Sequence, residues 1–424
     1  MLETIKNAWK IVDLRKKILF TLFIILIFRI GSVIPVPFVD PAAMAASDPK
    51  VFIEFLSTLT GGALDYGTIF ALGVTPYINS SIILQLLTVA IPYLERLSNE
   101  GEEGRKKIAQ ITRYTTVILG LIQGFAFFIY LKNSNMLTVT STGAQWFAGF
   151  VVVLTLAAGS ALVMWLGEQI DEKGVGNGIS MLLFAGILSR APQAFATLVQ
   201  WWKVGQLVAV IAIVLVFLLV IMFIVWMSNA ERRLPVQYAK RVVGRKMYGG
   251  QNTHIPIKVN MSGVMPIIFA SSILMLPTMI LSFWQNSNNW FHKVLELFSV
   301  QGPMYAIIYF VLIIAFAYFY VTIQYNPVEM ANNLRKNGGS IGGIRPGKPT
   351  AEFIKRVISR ITLIGALLLS VIAVGPIIFG LINSVFASVS IGGTSVIIIV
   401  GVALEIVTNL ESQMMMRHYK GFLD

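Results

Sequence analysis

Ten stretches of this chain are long and apolar enough to cross a lipid bilayer, and no other feature constrains its fold as strongly. A helix needs about 20 apolar residues to traverse the hydrocarbon core, where no water satisfies exposed backbone groups. The runs are Ile18–Pro37, Ile69–Pro92, Ile108–Leu131, Trp146–Leu166, Gly178–Gln200, Val204–Met227, Met261–Trp284, Pro303–Gln324, Ile361–Ile382 and Val385–Leu410. Those starting at Trp146, Val204, Met261, Pro303 and Ile361 contain no charge. Charged residues make up 12% of the chain, about half the share of a soluble domain. Such a chain cannot cover a water-facing surface, so the reading is an all-α integral membrane protein.

Positive charge orders these spans. The N-terminal segment, the even-numbered connections and the tail hold 5, 4, 1, 7, 7 and 2 of the Lys and Arg residues, and the odd-numbered connections hold 1, 1, 1, 1 and 0. Lys and Arg are retained in cytoplasmic loops, so this bias places both termini in the cytoplasm. It also supports the count of ten, since one missed span would invert the pattern downstream. Arg15, Lys16 and Lys17 before Ile18–Phe28 resemble the start of a signal peptide. The first small-residue cleavage pattern, near Ala43–Ala45, stands too far on, so an uncleaved first span is expected.

Five spans lie on each side of the short link at Trp201–Lys203. An odd number per half means that the second half, 204–424, enters the membrane opposite to the first, 1–203. Inverted halves are common in transport proteins, with the working site between them. No repeat is visible at the level of residues. Two cytoplasmic connections, Ser228–Asn260 and Tyr325–Arg360, are long, and each holds seven basic residues. Connections beyond about 12–15 residues are usually functional or disordered, which favours a docking role over topology alone.

Catalytic chemistry finds no foothold. The chain has no cysteine and three scattered histidines, His254, His292 and His418. Disulfides, thiolate metal sites and cysteine nucleophiles are therefore excluded, and no cofactor is expected. The ionisable residues within spans are Arg29, Arg113, Arg190 and Glu405, on different spans. A proton-coupled carrier or membrane enzyme would place acids or histidines deep in its spans. Arg29, near the outer end of its span, reads as snorkelling or paired. Gly342-Gly-Ile-Arg-Pro-Gly-Lys348 comes close to a phosphate loop, but Pro349 replaces the required Ser or Thr. No strand is expected before it, and the segment reads as a stiff, exposed tip carrying Arg345.

The second span is unusual: Asn79, Ser80, Ser81 and Gln85 follow Pro76 in an otherwise apolar run. Such groups must face protein or water. The stretch Gly61–Gly73 before it is too short to span and too apolar for a solvated loop. It reads as a re-entrant segment.

These stretches carry a resemblance. Phe28-Arg-Ile-Gly-Ser32, Gly61–Leu87, EGEEGRKKIAQITRY at Glu100–Tyr114, GNGISMLLFAGIL at Gly176–Leu188, Pro235–Leu274, Asn326–Thr350, Gly393-Thr-Ser395 and the Met-rich tail are similar to those of the SecY family. Its members are central subunits of bacterial protein-conducting channels. The runs QYAKR, PIKVNMSGVMP and NGGSIGGIRPG are highly specific, and the likeness covers essentially the whole chain.

The resemblance implies two five-helix halves around an hourglass pore that translocates unfolded secretory polypeptides and releases transmembrane segments sideways into lipid. An aliphatic ring would close its waist: Ile78 and Ile82 on span two, Ile179 and Leu183 on span five, Ile268 on span seven and Ile398 on span ten. Leu183 departs from the family's more usual isoleucine. Pairs four apart share a helix face, which agrees with the two pairings. A plug at about 61–72, including Gly61, Gly62, Leu64, Asp65, Tyr66 and Ile69, would be a short helix seated outside the ring. A lateral gate would run between spans two and three and spans seven and eight, with Gln123 and Leu276 at gate positions. Arg245, Lys246 and Arg345, in the loops at about 228–260 and 325–360, would contact the ribosome or the SecA motor. SecE and SecG would be membrane partners, signal peptides and translocating chains the cargo, and the bacterial cell membrane the location. The subunit itself is not expected to be an enzyme. An inverted-repeat secondary solute transporter is the competing class, and it should show a polar midplane site.

Overall fold

The structure, a computed structural model, describes residues 2–46, 57, 60–139, 141–205, 207–238, 241–243, 246–248, 252–283, 303–382 and 384–420. Helices occur at every apolar run. The N-terminal half comprises α1 (Leu2–Lys10), α2 (Val12–Gly31), α3 (Pro41–Ala46), α4 (Thr75–Ala90), α5 (Pro92–Asn99), α6 (Glu102–Asn133), α7 (Thr142–Lys173), α8 (Gly178–Leu188) and α9 (Ala191–Lys203). The C-terminal half comprises α10 (Leu207–Asn229), β1 (Glu231–Tyr238), β2 (Arg241–Val243), β3 (Lys246–Tyr248), β4 (Asn252–Lys258), α11 (Met265–Phe283), α12 (Pro303–Gln324), α13 (Pro327–Lys336), β5 (Gly339–Ile341), α14 (Lys348–Ile382) and α15 (Ser384–Lys420).

Among the described residues, seven helical stretches pass a length-and-hydropathy criterion for crossing a membrane, or eight with the bent pair α4 and α5. That pair bends by 101° at Ile91, because Pro92 lacks the N–H that would continue the ladder and instead opens a new helix at its first position. The first span, α2, carries Asp13, Arg15, Lys16, Lys17 and Arg29 within its 20 residues. The fifth span is a pair of shorter helices rather than one run. It breaks at Ser189–Arg190, with Pro192 in the first turn of α9.

Helices pack mainly with the next span along the chain: α6 with α7, α12 with α14, and α14 with α15. The α6–α7 contact is close because Gly120 and Gly124 leave no side chain in the way. A Cβ on Gly120 would lie 2.8 Å from Ser160 Oγ, and one on Gly124 would lie 3.3 Å from the Val153 carbonyl. Small residues four apart are the usual device for close helix approach in lipid. The two halves meet along separate seams. On one, α11 packs against α4 and α6; on the other, α15 packs against α8. One apolar core joins α2, α4, α7, α8, α10, α11, α12, α14 and α15.

The bundle is all-α as expected, and a small unit containing strands is added to it. The two long basic connections form one small α/β unit. Its antiparallel sheet has the order β4-β1-β5, with Arg233 opposite Pro256, and Val236 opposite both Thr253 and Ile341. Pro235 is tolerated in the middle strand because pairing with β5 begins only at Val236. Along β1, Leu234 and Val236 point inward, joining Ile257, Leu334, Ile341, Ile354 and Ile358 in a separate small core. A period-2 pattern of two apolar residues is too short to announce a strand. The expected absence of a strand before the glycine-rich tip is corrected as well, since β5 ends at Ile341 and α14 starts at Lys348. Pro349 still occupies the position a phosphate loop needs for Ser or Thr.

Candidate functional site

The six aliphatic positions lie on four helices that all contribute to one apolar core. Ile78, Ile82, Leu183, Ile268 and Ile398 are all buried, between 2% and 7% exposed, and belong to the one apolar core shared by both halves. Local chemistry sets their register. On α8, Asn177 caps the first turn by accepting from the Ser180 N–H at 3.0 Å, and Asp171 of α7 accepts from the Gly178 N–H at 2.7 Å. Asn and Asp oxygens are suited to orphan donors at a helix start. On α15, Gly401 lets the helix lie against Val264 at the start of α11, where a Cβ would meet Cγ1 at 2.5 Å. Ile179 differs from the other five. It is only partly buried and packs against the same core, and a Cβ on Gly167 of α7 would come within 2.6 Å of its Cδ1.

The polar residues of α4 are partly explained. Ser80 donates to the Thr112 carbonyl of α6 at 2.9 Å, and Gln85 donates to Ser81 at 3.5 Å. Asn79 is buried, and its Nδ2 finds no partner among the described residues. Gln123 of α6 is also buried. Of the remaining gate position, Leu276 lies on α11, but its side chain is outside the described residues.

Residues 61–74 fold as successive turns, not as the short helix implied by the family resemblance. Positive φ angles of 67° at Gly61, 89° at Gly62 and 57° at Gly67 explain why, since a helix cannot run through left-handed residues. The segment is held at both ends. Thr68 bridges Pro35, and the Val36 N–H donates to the Gly67 carbonyl at 2.9 Å. The Phe70 ring stacks on Phe28 of α2 at 5.8 Å between centroids and joins the same core as the six aliphatic positions. Leu64, Ala71 and Leu72 instead pack with Phe128, Leu131, Val152 and Leu156 of α6 and α7. Ile69 is half-buried between the two clusters, and Tyr66 is exposed.

Two arginines that the sequence marked only as charges within apolar spans turn out to grip this segment. Arg29 of α2 donates to the Gly61 carbonyl at 3.3 Å. Arg190, at the α8–α9 break, donates to Ser57 Oγ at 2.7 Å and forms an ion pair with Asp65. Placement inside an apolar run was the available signal, because such charges are costly unless paired. The partner could not be named without the fold.

The α7 backbone is equally close. A Cβ on Gly159 would lie 2.1 Å from the Ile69 carbonyl oxygen. Gly159→Ala would gain about 1 kcal/mol of helix propensity, but overpacking against backbone costs typically 1–3 kcal/mol. The expected net result is a lower thermal-unfolding midpoint, and an unchanged or raised midpoint would show that the segment yields freely.

At the glycine-rich tip between β5 and α14, Arg345 is exposed, and its carbonyl accepts from Thr350 Oγ1 at 2.9 Å. Gly343 and Gly347, with φ of 79° and 105°, shape the turns on either side. Lys246 opens β3, whose partner is β2. Its side chain, and Arg245 altogether, lie outside the described residues.

The SecY family profile matches residues 68–407. The chain is 43% identical to the protein translocase subunit SecY of Streptomyces galbus and 42% identical to that of Bacillus subtilis (strain 168), over the full length of each. Its fold is similar to that of a solved protein-conducting channel, with a TM-score of 0.69 and 20% identity over 94% of this chain and 92% of that one. It is also similar to Sec61 in the canine ribosome-channel complex, with a TM-score of 0.64 and 18% identity over 94% and 92%.

Proposed function

The chain belongs to the SecY family, and from that premise we propose a working cycle built on its own residues. The protein is a multi-pass membrane protein and a protein-conducting channel subunit. It translocates unfolded secretory polypeptides and releases apolar segments sideways into lipid. The observation that carries the cycle is the convergence of aliphatic side chains from α4, α8, α11 and α15, drawn from both halves, into one core that also takes in Phe70.

In the resting state, Ile78, Ile82, Leu183, Ile268 and Ile398 close the waist between halves 1–203 and 204–424, with Ile179 flanking them on α8. Aliphatic constrictions dewet, so ions find no continuous water column. Gly61–Leu72 sits outside this seal as the plug. A signal sequence parts α11 from α4 and α6, the seam that includes Gln123 and Leu276. Each CH₂ it moves from water into lipid contributes about 0.8 kcal/mol. A solute carrier would need a polar site at the midplane; here the meeting point of the halves is aliphatic, so the transporter reading is not favoured.

Both termini are assigned to the cytoplasm of a bacterial cell by the Lys and Arg distribution. The α/β unit of the two basic connections is then the docking surface for SecA or the ribosome, through Arg245, Lys246 and Arg345. SecE and SecG complete the membrane complex. The chain itself has no assigned chemistry, and work comes from its motor or from chain elongation.

Reconstitution with SecE, SecG, SecA and a preprotein tests the cycle. Chain protected from external protease, dependent on ATP, is expected; its absence in vesicles with intact complex would overturn the reading. Plug movement has its own probe. Because the chain has no native thiol, a Tyr66→Cys variant carries one label site in an exposed position that makes no ion pair. Its reaction with an impermeant reagent from the external face is expected to change at least about threefold when a translocating chain is jammed in the channel. Equal reactivity in the two states would count against a mobile plug.

A further inference from the structure

The grip on the plug segment is divided into an apolar half and a polar half, and within the polar half one residue, Arg190, reaches both sides of the Gly61–Gly62 turn. At the inner end the segment is held by Phe70 and Leu72 in the two apolar cores. At the outer end the Gly61 carbonyl accepts from Arg29 Nη1 at 3.3 Å and from Ser189 Oγ at 3.4 Å. Four residues further on, Asp65 pairs with Arg190, whose same Nη2 also donates to Ser57 Oγ at 2.7 Å. Ser57 and Asp65 flank the Gly61–Gly62 turn, so one guanidinium holds both sides of it.

Arg190 is well placed for this. It lies between the end of α8 at Leu188 and the start of α9 at Ala191. The carbonyl end of α8 carries partial negative charge and favours a cation. Pro192 prevents α8 from running on through this point. Around Gly61 the fit is tight, since a Cβ there would lie 2.6 Å from the Gly186 carbonyl and 2.8 Å from Arg29 Nη1. The pair itself is only partly shielded, with side chains 24% and 28% exposed. Water can replace either partner without stripping a fully buried charge, which would be far more costly. That is the property of a fastening made to be undone.

We propose that Arg190 is a positioning residue that latches the plug in its resting seat through Asp65 and Ser57, so that the pair sets how often the unstimulated channel opens. The proposal rests on the reading of Gly61–Leu72 as a plug. It goes beyond that reading in assigning the restraint to this ion pair rather than to apolar packing.

The test uses the full complex in vesicles and measures resting ion leak and preprotein translocation side by side. Arg190→Gln and Asp65→Asn are each expected to raise resting leak about tenfold while translocation continues. The exchange Asp65→Arg with Arg190→Asp is expected to bring leak below that of either single variant without full recovery, since Ser57 can donate to a carboxylate but an aspartate at the carbonyl end of α8 meets its partial negative charge. Raising ionic strength should increase wild-type leak more than that of Arg190→Gln, because salt screens partly exposed pairs. Leak unchanged in both single variants, or an exchanged pair as leaky as either single, would overturn the latch while preprotein still moves. Failure of the wild-type complex to protect preprotein would instead overturn the channel reading beneath it.

Discussion

Replacing Ile82 and Ile268 together by serine is expected to raise the resting ion leak of reconstituted vesicles by at least about tenfold and to relax the demand for a good signal sequence. The two side chains come from α4 and α11, helices that pack across the seam between the halves, and they are 3% and 7% exposed. Removing both exchanges two branched aliphatic groups for hydroxyls at the proposed seal. A hydroxyl-lined gap of this kind wets, and an aliphatic one does not. Each truncation also weakens the core, by roughly 2–5 kcal/mol on the scale of large-to-small substitutions. A destabilised bundle could leak for that reason alone, so a matched control is needed. Ile354 is 0% exposed but packs in the separate core of the α/β unit with Leu334 and Ile341. Ile354→Ser should lower the melting temperature comparably and leave the leak near wild type. Equal leak in the two variants, or none in the double serine, would place the seal elsewhere.

Arg345→Glu is expected to insert and assemble normally, keep its melting temperature, and lose motor-driven translocation by about thirtyfold or more. The side chain is exposed on a tip held by the Thr350 hydrogen bond to its own carbonyl and braced by Ile344, which packs on the small core of the α/β unit. A tip already ordered loses less entropy when a partner docks. A guanidinium offers a planar fork of donors matched to carboxylate or phosphate, which a lysine cannot imitate. Truncating a hot-spot arginine typically costs 2 kcal/mol or more, which corresponds to about thirtyfold in affinity. An exposed charge away from packing changes stability by only about 0.5 kcal/mol. If Arg345 served only to keep the loop cytoplasmic, the six other basic residues there would compensate. Translocation near the wild-type rate would then favour that simpler role.

The membrane-embedded architecture was legible before any coordinates, and the reasons are local. Whether a segment such as Leu207–Asn229 enters a bilayer depends on its own side chains, and whether a loop stays cytoplasmic depends on its own Lys and Arg. The four-residue spacing of Ile78 and Ile82 likewise places them on one face of one helix. Other features were hidden because their cause lies far along the chain. The strands of the basic connections became strands only by pairing, as in the Ser340 hydroxyl reaching the Gln237 carbonyl 103 residues away. Three-residue β5 has no signal that could compete with turn or helix by itself. The break at Ser189–Arg190 could be suspected from Pro192, yet the run reads as one span because both pieces are apolar. The side-chain environment of Ile179, which lies against Gly167, depends on how α7 and α8 approach each other.

Arg190 and Asp65 show where the division falls. The sequence by itself determined that a charge inside an apolar span needs a partner, because burying it alone is too costly. It also determined that Gly61–Gly73 could neither cross the membrane nor float in water. Only the tertiary structure decided that these requirements answer each other across 125 residues. Hydrophobicity and helical period are properties of a segment and can be read one segment at a time. The choice among possible partners is a property of packing, fixed only when every helix has taken its place.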